Sequence, residues 1–212
     1  MTGRIHLDLF TTLDGVAQAP GGPDEDPSGG FPFGGWQAPL MDDMVGQSVD
    51  AGLADFDALV LGRRTYDIFA AYWPGQEAGA DGSIARQFNA VPKYVASRGT
   101  PTLEWAGSSQ LGPDLAVEFQ ALRERHENVH VIGSVDFVQT LLAQQLFDEL
   151  VLWVYPIVLG QGKKVFPDGA APANLELLAP PVAGSTGAVL LRYGPLPGVP
   201  ATGDMGADDR GR

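Results

Sequence analysis

Two short strand-like runs, each ending in glycine and each opening into a helix-like stretch, constrain this chain more than anything else in it. Ala58-Leu59-Val60-Leu61 leads into Gly62-Arg63-Arg64-Thr65-Tyr66, and His130-Val131-Ile132 leads into Gly133-Ser134. A run that is apolar at every position fits a strand covered on both faces, and such strands are joined in parallel through helices. A strand-to-helix junction presents the free N–H groups of a helix start at the end of a sheet, where they attract anions. An arginine fork beside them can grip a phosphate at two points. Two junctions of this kind in one small domain predict a cradle for a phosphate-rich cofactor.

The rest of the pattern agrees with an alternating α/β chain. Ile5 to Leu9 alternates at period two and predicts a first strand. Met41, Met44, Val45, Val49 and Leu53 have helical spacing over residues 40–53. A helix follows from Arg64 to Tyr72, stopped by Pro74, with a short one at 84–89. Lys93 to Ser97 predicts a third strand and Thr102 to Trp105 a short fourth. Leu115 to Arg125 predicts a helix, Val129 to Ile132 a strand, Val135 to Leu142 a helix and Leu150 to Tyr155 the longest strand. Leu175 to Leu178 and Val189 to Tyr193 have only Pro- and Gly-rich chain between them, which predicts an antiparallel edge hairpin. The expected architecture is α/β, with a mixed, mostly parallel central sheet and helices on both faces. One domain over residues 1–194 is expected, followed by a disordered tail over 195–212 that lacks large apolar residues almost entirely.

Charge and composition narrow the function. The net charge of −13 argues against nucleic-acid or anionic-membrane partners, which call for clustered Lys and Arg. The chain has no cysteine, so thiolate catalysis and Cys-ligated zinc are excluded. Its three histidines, His6, His126 and His130, lack metal-site spacing, so no metal is expected. No apolar run approaches the ~20 residues of a membrane span, and the N-terminus lacks a signal-peptide core; a cytoplasmic protein is the expectation. The Gly- and Pro-rich stretch from Ala19 to Gly35 is too long for a plain connection, and reads either as a binding loop or as a loop folded over the core edge.

Six motifs in order carry a resemblance. They are Leu13-Asp14-Gly15-Val16, Leu61-Gly62-Arg63-Arg64-Thr65-Tyr66, Pro92-Lys93-Tyr94-Val95-Ala96-Ser97, Val131-Ile132-Gly133-Ser134, Phe147-Asp148-Glu149-Leu150 and the segment from Pro156 to Phe166. Together they resemble the dihydrofolate reductase superfamily. The nearer likeness is to the reductase domain that ends bifunctional riboflavin-biosynthesis enzymes and to its stand-alone bacterial relatives. The resemblance implies a three-layer dihydrofolate reductase-like fold, an NADPH site across the strand ends, a small-molecule substrate and a homodimer. It implies that Arg63 or Arg64 meets the 2′-phosphate, and that Gly62 and Thr65 lie at the pyrophosphate. Ser97 and Arg98 would flank the adenine, and Gly133, Ser134 and Val135 would approach the pyrophosphate and nicotinamide. Ala17 would sit by the nicotinamide ring.

A nicotinamide reductase of a C=N or C=O carbon also needs a proton source. Asp42 and Asp43, at the start of the first helix, and Asp14, near the expected nicotinamide edge, are the candidate acids. Each has a plainer role available, as helix-dipole partner or turn residue. Phe33 and Trp36 can stack on a flat heterocycle or simply pack. Gly160-Gln161-Gly162-Lys163-Lys164 lacks the phosphate-loop pattern and is expected to be a structural loop near the cofactor. The leading expectation is an NADPH-dependent reductase of a small pteridine- or pyrimidine-like substrate. The rival is a non-catalytic nucleotide- or flavin-binding member acting as a sensor.

Overall fold

The computed structural model describes residues 2–79 and 82–204. Nine strands form one sheet in the order β4-β3-β2-β5-β1-β6-β9-β7, with β8 also paired to β9. The strands are β1 (Arg4–Thr12), β2 (Ala58–Gly62), β3 (Lys93–Ala96), β4 (Ser108–Gln110), β5 (Asn128–Ile132), β6 (Glu149–Tyr155), β7 (Asn174–Leu177), β8 (Val182–Ala183) and β9 (Val189–Leu196). Every pairing from β4 to β6 is parallel, and β9 pairs antiparallel with β6, β7 and β8. The helices are α1 (Asp43–Leu53), α2 (Arg63–Tyr72), α3 (Gly82–Ala90), α4 (Leu115–Arg125) and α5 (Val135–Ala143).

The alternation of side chains explains the layers. On one face Ile5, Leu7, Val129, Val131, Leu150 and Leu152 bury against Phe119 and Leu122 of α4 and Val138 and Leu141 of α5. On the other, Leu59, Leu61 and Val95 bury against Leu53 of α1, Tyr66 of α2 and Phe88 of α3. Burial of such side chains is the main favourable term, at about 1.5–3 kcal/mol each. Between these helices the second face is left partly open over β5, β1, β6 and β9.

Several expectations shift. The fourth strand is not at 102–105. Trp105 is buried there against Tyr66, its backbone N–H donating to the Tyr66 hydroxyl at 3.0 Å. The chain turns at Gly107 (φ +78°) and joins the sheet only at Ser108. The first helix starts at Asp43, because Asp42 caps it by accepting from the Val45 N–H at 2.9 Å. The edge hairpin forms as expected, with β8 added. β9 extends through Leu196, two residues past the expected domain end, and residues 197–204 carry neither helix nor strand. The rest of the expected tail lies outside the described residues.

Candidate functional site

The two strand–glycine–helix junctions stand side by side at the ends of β2 and β5 and are bonded to each other. The Gly62 N–H donates to Ser134 Oγ at 2.9 Å, and the Ser134 N–H donates to Thr65 Oγ1 at 3.1 Å. Gly133 (φ +61°) and Ser134 (φ +53°) are both left-handed, which turns the chain sharply into α5. Neither α2 nor α5 has a side-chain cap on its first turn. Two helix starts with uncapped N–H groups therefore face one space, the arrangement that suits an anion. Ser134 occupies the cap position of α5, but its hydroxyl serves Gly62 instead of its own helix.

That space is a cleft of about 2160 Å³, and all ten residues expected at the cofactor line it: Ala17, Gly62, Arg63, Arg64, Thr65, Ser97, Arg98, Gly133, Ser134 and Val135. Both arginines are engaged. Arg63 Nε meets Asp67 at 2.7 Å along α2, an exposed pair one helical turn apart. Arg64 Nη1 donates to Ser28 Oγ at 2.7 Å and lies 3.7 Å from Asp26. Arg98 is exposed at the rim.

Asp26 belongs to the long Gly/Pro-rich loop, which forms one wall of the cleft while burying Phe31 and Trp36 in the core. Lys163 Nζ meets Asp26 at 2.5 Å, and the Gln18 amide donates to the carbonyls of Asp26 and Ser28. Burial pushes the Asp26 carboxyl up, but the bonds from Lys163 and Ser28 outweigh it and hold it below its usual range. The loop thus folds over the core edge, as one of its two readings had it, and also walls the cleft. The 160–166 segment bonds back to the chain that follows β1, with the Ala17 N–H donating to the Lys163 carbonyl at 2.9 Å.

The acids and aromatics expected at the reaction centre are placed elsewhere. Asp42 caps α1 and accepts from Ser185 and Thr186; those bonds, with Val45 the largest, hold its carboxyl down to about 2. Asp43 sits in the first turn of α1 and, like Asp42, does not line the cleft. Asp14 closes a turn, bonded to the Thr12 hydroxyl and to the N–H groups of Leu159 and Gly160. Trp36 is buried edge-on against Tyr155, its indole N–H donating to the Gln18 carbonyl at 2.8 Å. Phe33 packs on Phe31 outside the cleft.

The cleft floor instead holds residues that the sequence motifs do not single out as functional: His6 and Asp8 on β1, His130 on β5, Glu149 on β6 and Arg192 on β9. His6 and His130 sit opposite each other in register and stack at 4.5 Å, nearly parallel. His130 Nδ1 meets Asp8 at 2.7 Å. Glu149 is buried (1% exposed) and is reached by Arg192, His6 and Arg4. Its burial raises the carboxyl, but His6 and Arg192 outweigh that and bring it down to about 2. The signal in the sequence was the polar half of two strands. His6 and Asp8 alternate with core residues, and Glu149 opens an otherwise apolar strand.

The RibD C-terminal domain model matches residues 4–180. The chain belongs to the RibD C-terminal domain family. Its membership covers both junctions, the loop wall and most of the floor. An uncharacterised protein of Bacillus subtilis, YyaP, is 25% identical over 181 residues, covering 82% of this chain and 86% of that protein. A putative riboflavin biosynthesis protein from Shewanella sp. PV-4 is 18% identical, with a TM-score of 0.65 over 92% of this chain and 99% of its own. Dihydrofolate reductase from Enterococcus faecalis, solved with NADP(H), is 16% identical, with a TM-score of 0.55 over 92% of this chain and 98% of its own. The two structures establish for this RibD-type chain the dihydrofolate reductase-like fold. Among the described residues no helix is long and apolar enough to cross a membrane.

Proposed function

We propose that this protein is an NADPH-dependent reductase of a small heterocyclic substrate. The observation that carries this reading is the convergence of two bonded, uncapped helix starts and two adjacent arginines on one cleft. The residues present fit a phosphorylated dinucleotide. A side chain at Gly62 would press on Phe137 at 3.2 Å and on Ser134 at 3.4 Å, so glycine there lets the two junctions pack directly against each other. Thr65, Gly133 and Ser134 would hold the pyrophosphate. Arg63, Arg64 and Arg98 are the cations available to a 2′-phosphate. Ala17 would border the nicotinamide. The bound dinucleotide supplies a hydride. The protein contributes orientation, the exclusion of water by the 19–35 loop, and a polar floor for the second ligand.

Fluorescence titration tests this reading: NADPH should bind at least about tenfold more tightly than NADH, a difference of about 1.4 kcal/mol. Equal affinities would refute it. The second reading, a ligand-sensing member without turnover, is favoured by the placement of Asp14, Asp42 and Asp43 outside the cleft. NADPH oxidation in a screen of pteridine, pyrimidine and quinone substrates separates the two.

A further inference from the structure

We propose that Asp8, backed by His130, is the acid that touches the substrate: it holds a ring N–H of a flat heterocycle and exchanges a proton with it. This deepens the reductase reading and rests on it.

The argument is one of elimination among the cleft's carboxylates. Asp26 is held by Lys163 and lies beside Arg64. Glu25 accepts from the N–H groups of Gly21 and Gly22 within its own loop. Asp136 lies in the first turn of α5, at the cofactor junction. Glu149 is 1% exposed and already takes Arg192, His6 and Arg4. Asp24 sits on the loop wall. Asp8 alone among these combines a rigid central strand, partial exposure of its side chain (21%) and a partner that can itself carry a proton.

The surroundings suit a planar ligand with one polar edge. Phe10 follows on the same face of β1, Val151 is the register partner of Asp8 on β6, and Val49 and Leu53 of α1 also line the cleft. The charged and titratable groups facing the pair are His6 on the same strand, Glu149 on β6 and Arg192 on β9. His130 is fixed by three contacts: the stack on His6, the edge of Phe56 at 5.7 Å and the Asp8 carboxylate. A carboxylate on a buried sheet face is costly unless it is paired or has a task. His130 is therefore a positioning residue that can share the proton, and Asp8 the residue that delivers it. In the delivery step the O–H bond of Asp8 breaks, and an N–H or O–H bond forms at the ligand atom beside the carbon that takes the hydride. The hydride comes from the reduced nicotinamide, the bond electrons stay on the carboxylate, and solvent restores the proton to the pair.

The test uses full-length protein with saturating NADP⁺ and 7,8-dihydropterin as the probe, followed by probe fluorescence and by ¹⁵N signals of the histidine rings. In the wild type, probe binding should shift the His130 ring signals and leave those of His126, which is bonded to Tyr94 on the other face, in place. Asp8→Asn should weaken probe binding by about 30-fold or more and remove the pH dependence of that binding. His130→Gln, which can still donate a hydrogen bond to Asp8, should keep most of the affinity but lose the pH dependence. NADPH affinity should stay within about twofold in both variants, which reports folding and tests the reductase reading separately. Probe binding that leaves His130 unmoved, an Asp8→Asn variant that binds as the wild type does, or a wild type that fails to bind the probe would each overturn the assignment.

Discussion

The Gly62 N–H donates to Ser134 Oγ at 2.9 Å, so the two strand–helix junctions act as one unit. Ser134→Ala removes that acceptor and leaves a backbone donor unmet, a loss of about 1–3 kcal/mol. NADPH affinity should fall by about tenfold, and the melting temperature should drop by a few degrees. Titration and thermal unfolding of the same preparation check both effects.

Arg64 reaches the 19–35 loop through Ser28 and Asp26, whereas Arg63 is folded back on Asp67. Arg64→Ala should therefore reduce NADPH affinity by about 10- to 100-fold and leave NADH affinity nearly unchanged, since charge-assisted bonds are worth about 1.5–3 kcal/mol. Asp26→Asn should do the reverse and tighten NADPH binding, because a competing carboxylate is gone. Parallel titrations with both dinucleotides read out the pair of effects.

Lys93 is fully buried, its Nζ donating to the carbonyls of Asn89 and Ala106 and lying 4.6 Å from the Trp105 ring centre. Burial pushes its ammonium down to about 8 from 10.5. The unfolded chain then holds the proton more tightly than the folded one, so stability rises with pH between about 8 and 10.5, and the penalty is fully present below 8. Lys93→Met should flatten that rise, which is about 3 kcal/mol. Urea unfolding on either side of the window measures it.

Glu149 has the opposite sign. Its carboxyl is held down to about 2 from 4.5, so the stability it contributes is present above 4.5 and is lost as pH falls towards 2. Arg192→Met leaves the buried carboxylate with only His6 at 3.5 Å and the half-exposed Arg4 at 3.6 Å, at a cost of about 1–3 kcal/mol near neutrality. The acid-side slope should become shallower, because the Glu149 carboxyl moves back towards its ordinary range. Urea midpoints as a function of pH test this.

The pair of junctions at the ends of β2 and β5 was legible in the sequence because its signals are local. A glycine after an apolar run, and a small hydroxyl residue after that, specify a junction within a few positions, as at Gly62 to Thr65 and Gly133-Ser134. The polar floor was not legible, because Asp8 and His130 are 122 positions apart and meet only through the β1–β5 register. Asp42 misled for the same reason in reverse: a carboxylate at a helix start has the same local pattern whether it caps the helix or serves a ligand, and here it is bonded to Ser185 and Thr186 across the fold. The displaced fourth strand reflects competition as well. Trp105 has strand propensity, but it buries more surface as a plug between Tyr66 and Lys93.

One consequence follows from the shortness of β5. Only Val131 and Ile132 separate His130, on the polar floor, from Gly133, at the sharp turn into α5. Because side chains alternate along a strand, sliding β5 by a single position would drive the imidazole into the α4–α5 hydrophobic layer and, in the same movement, carry the left-handed turn out of reach of Thr65. Both ends of the cleft are thus indexed by one ruler, and no insertion between them can leave its spacing intact.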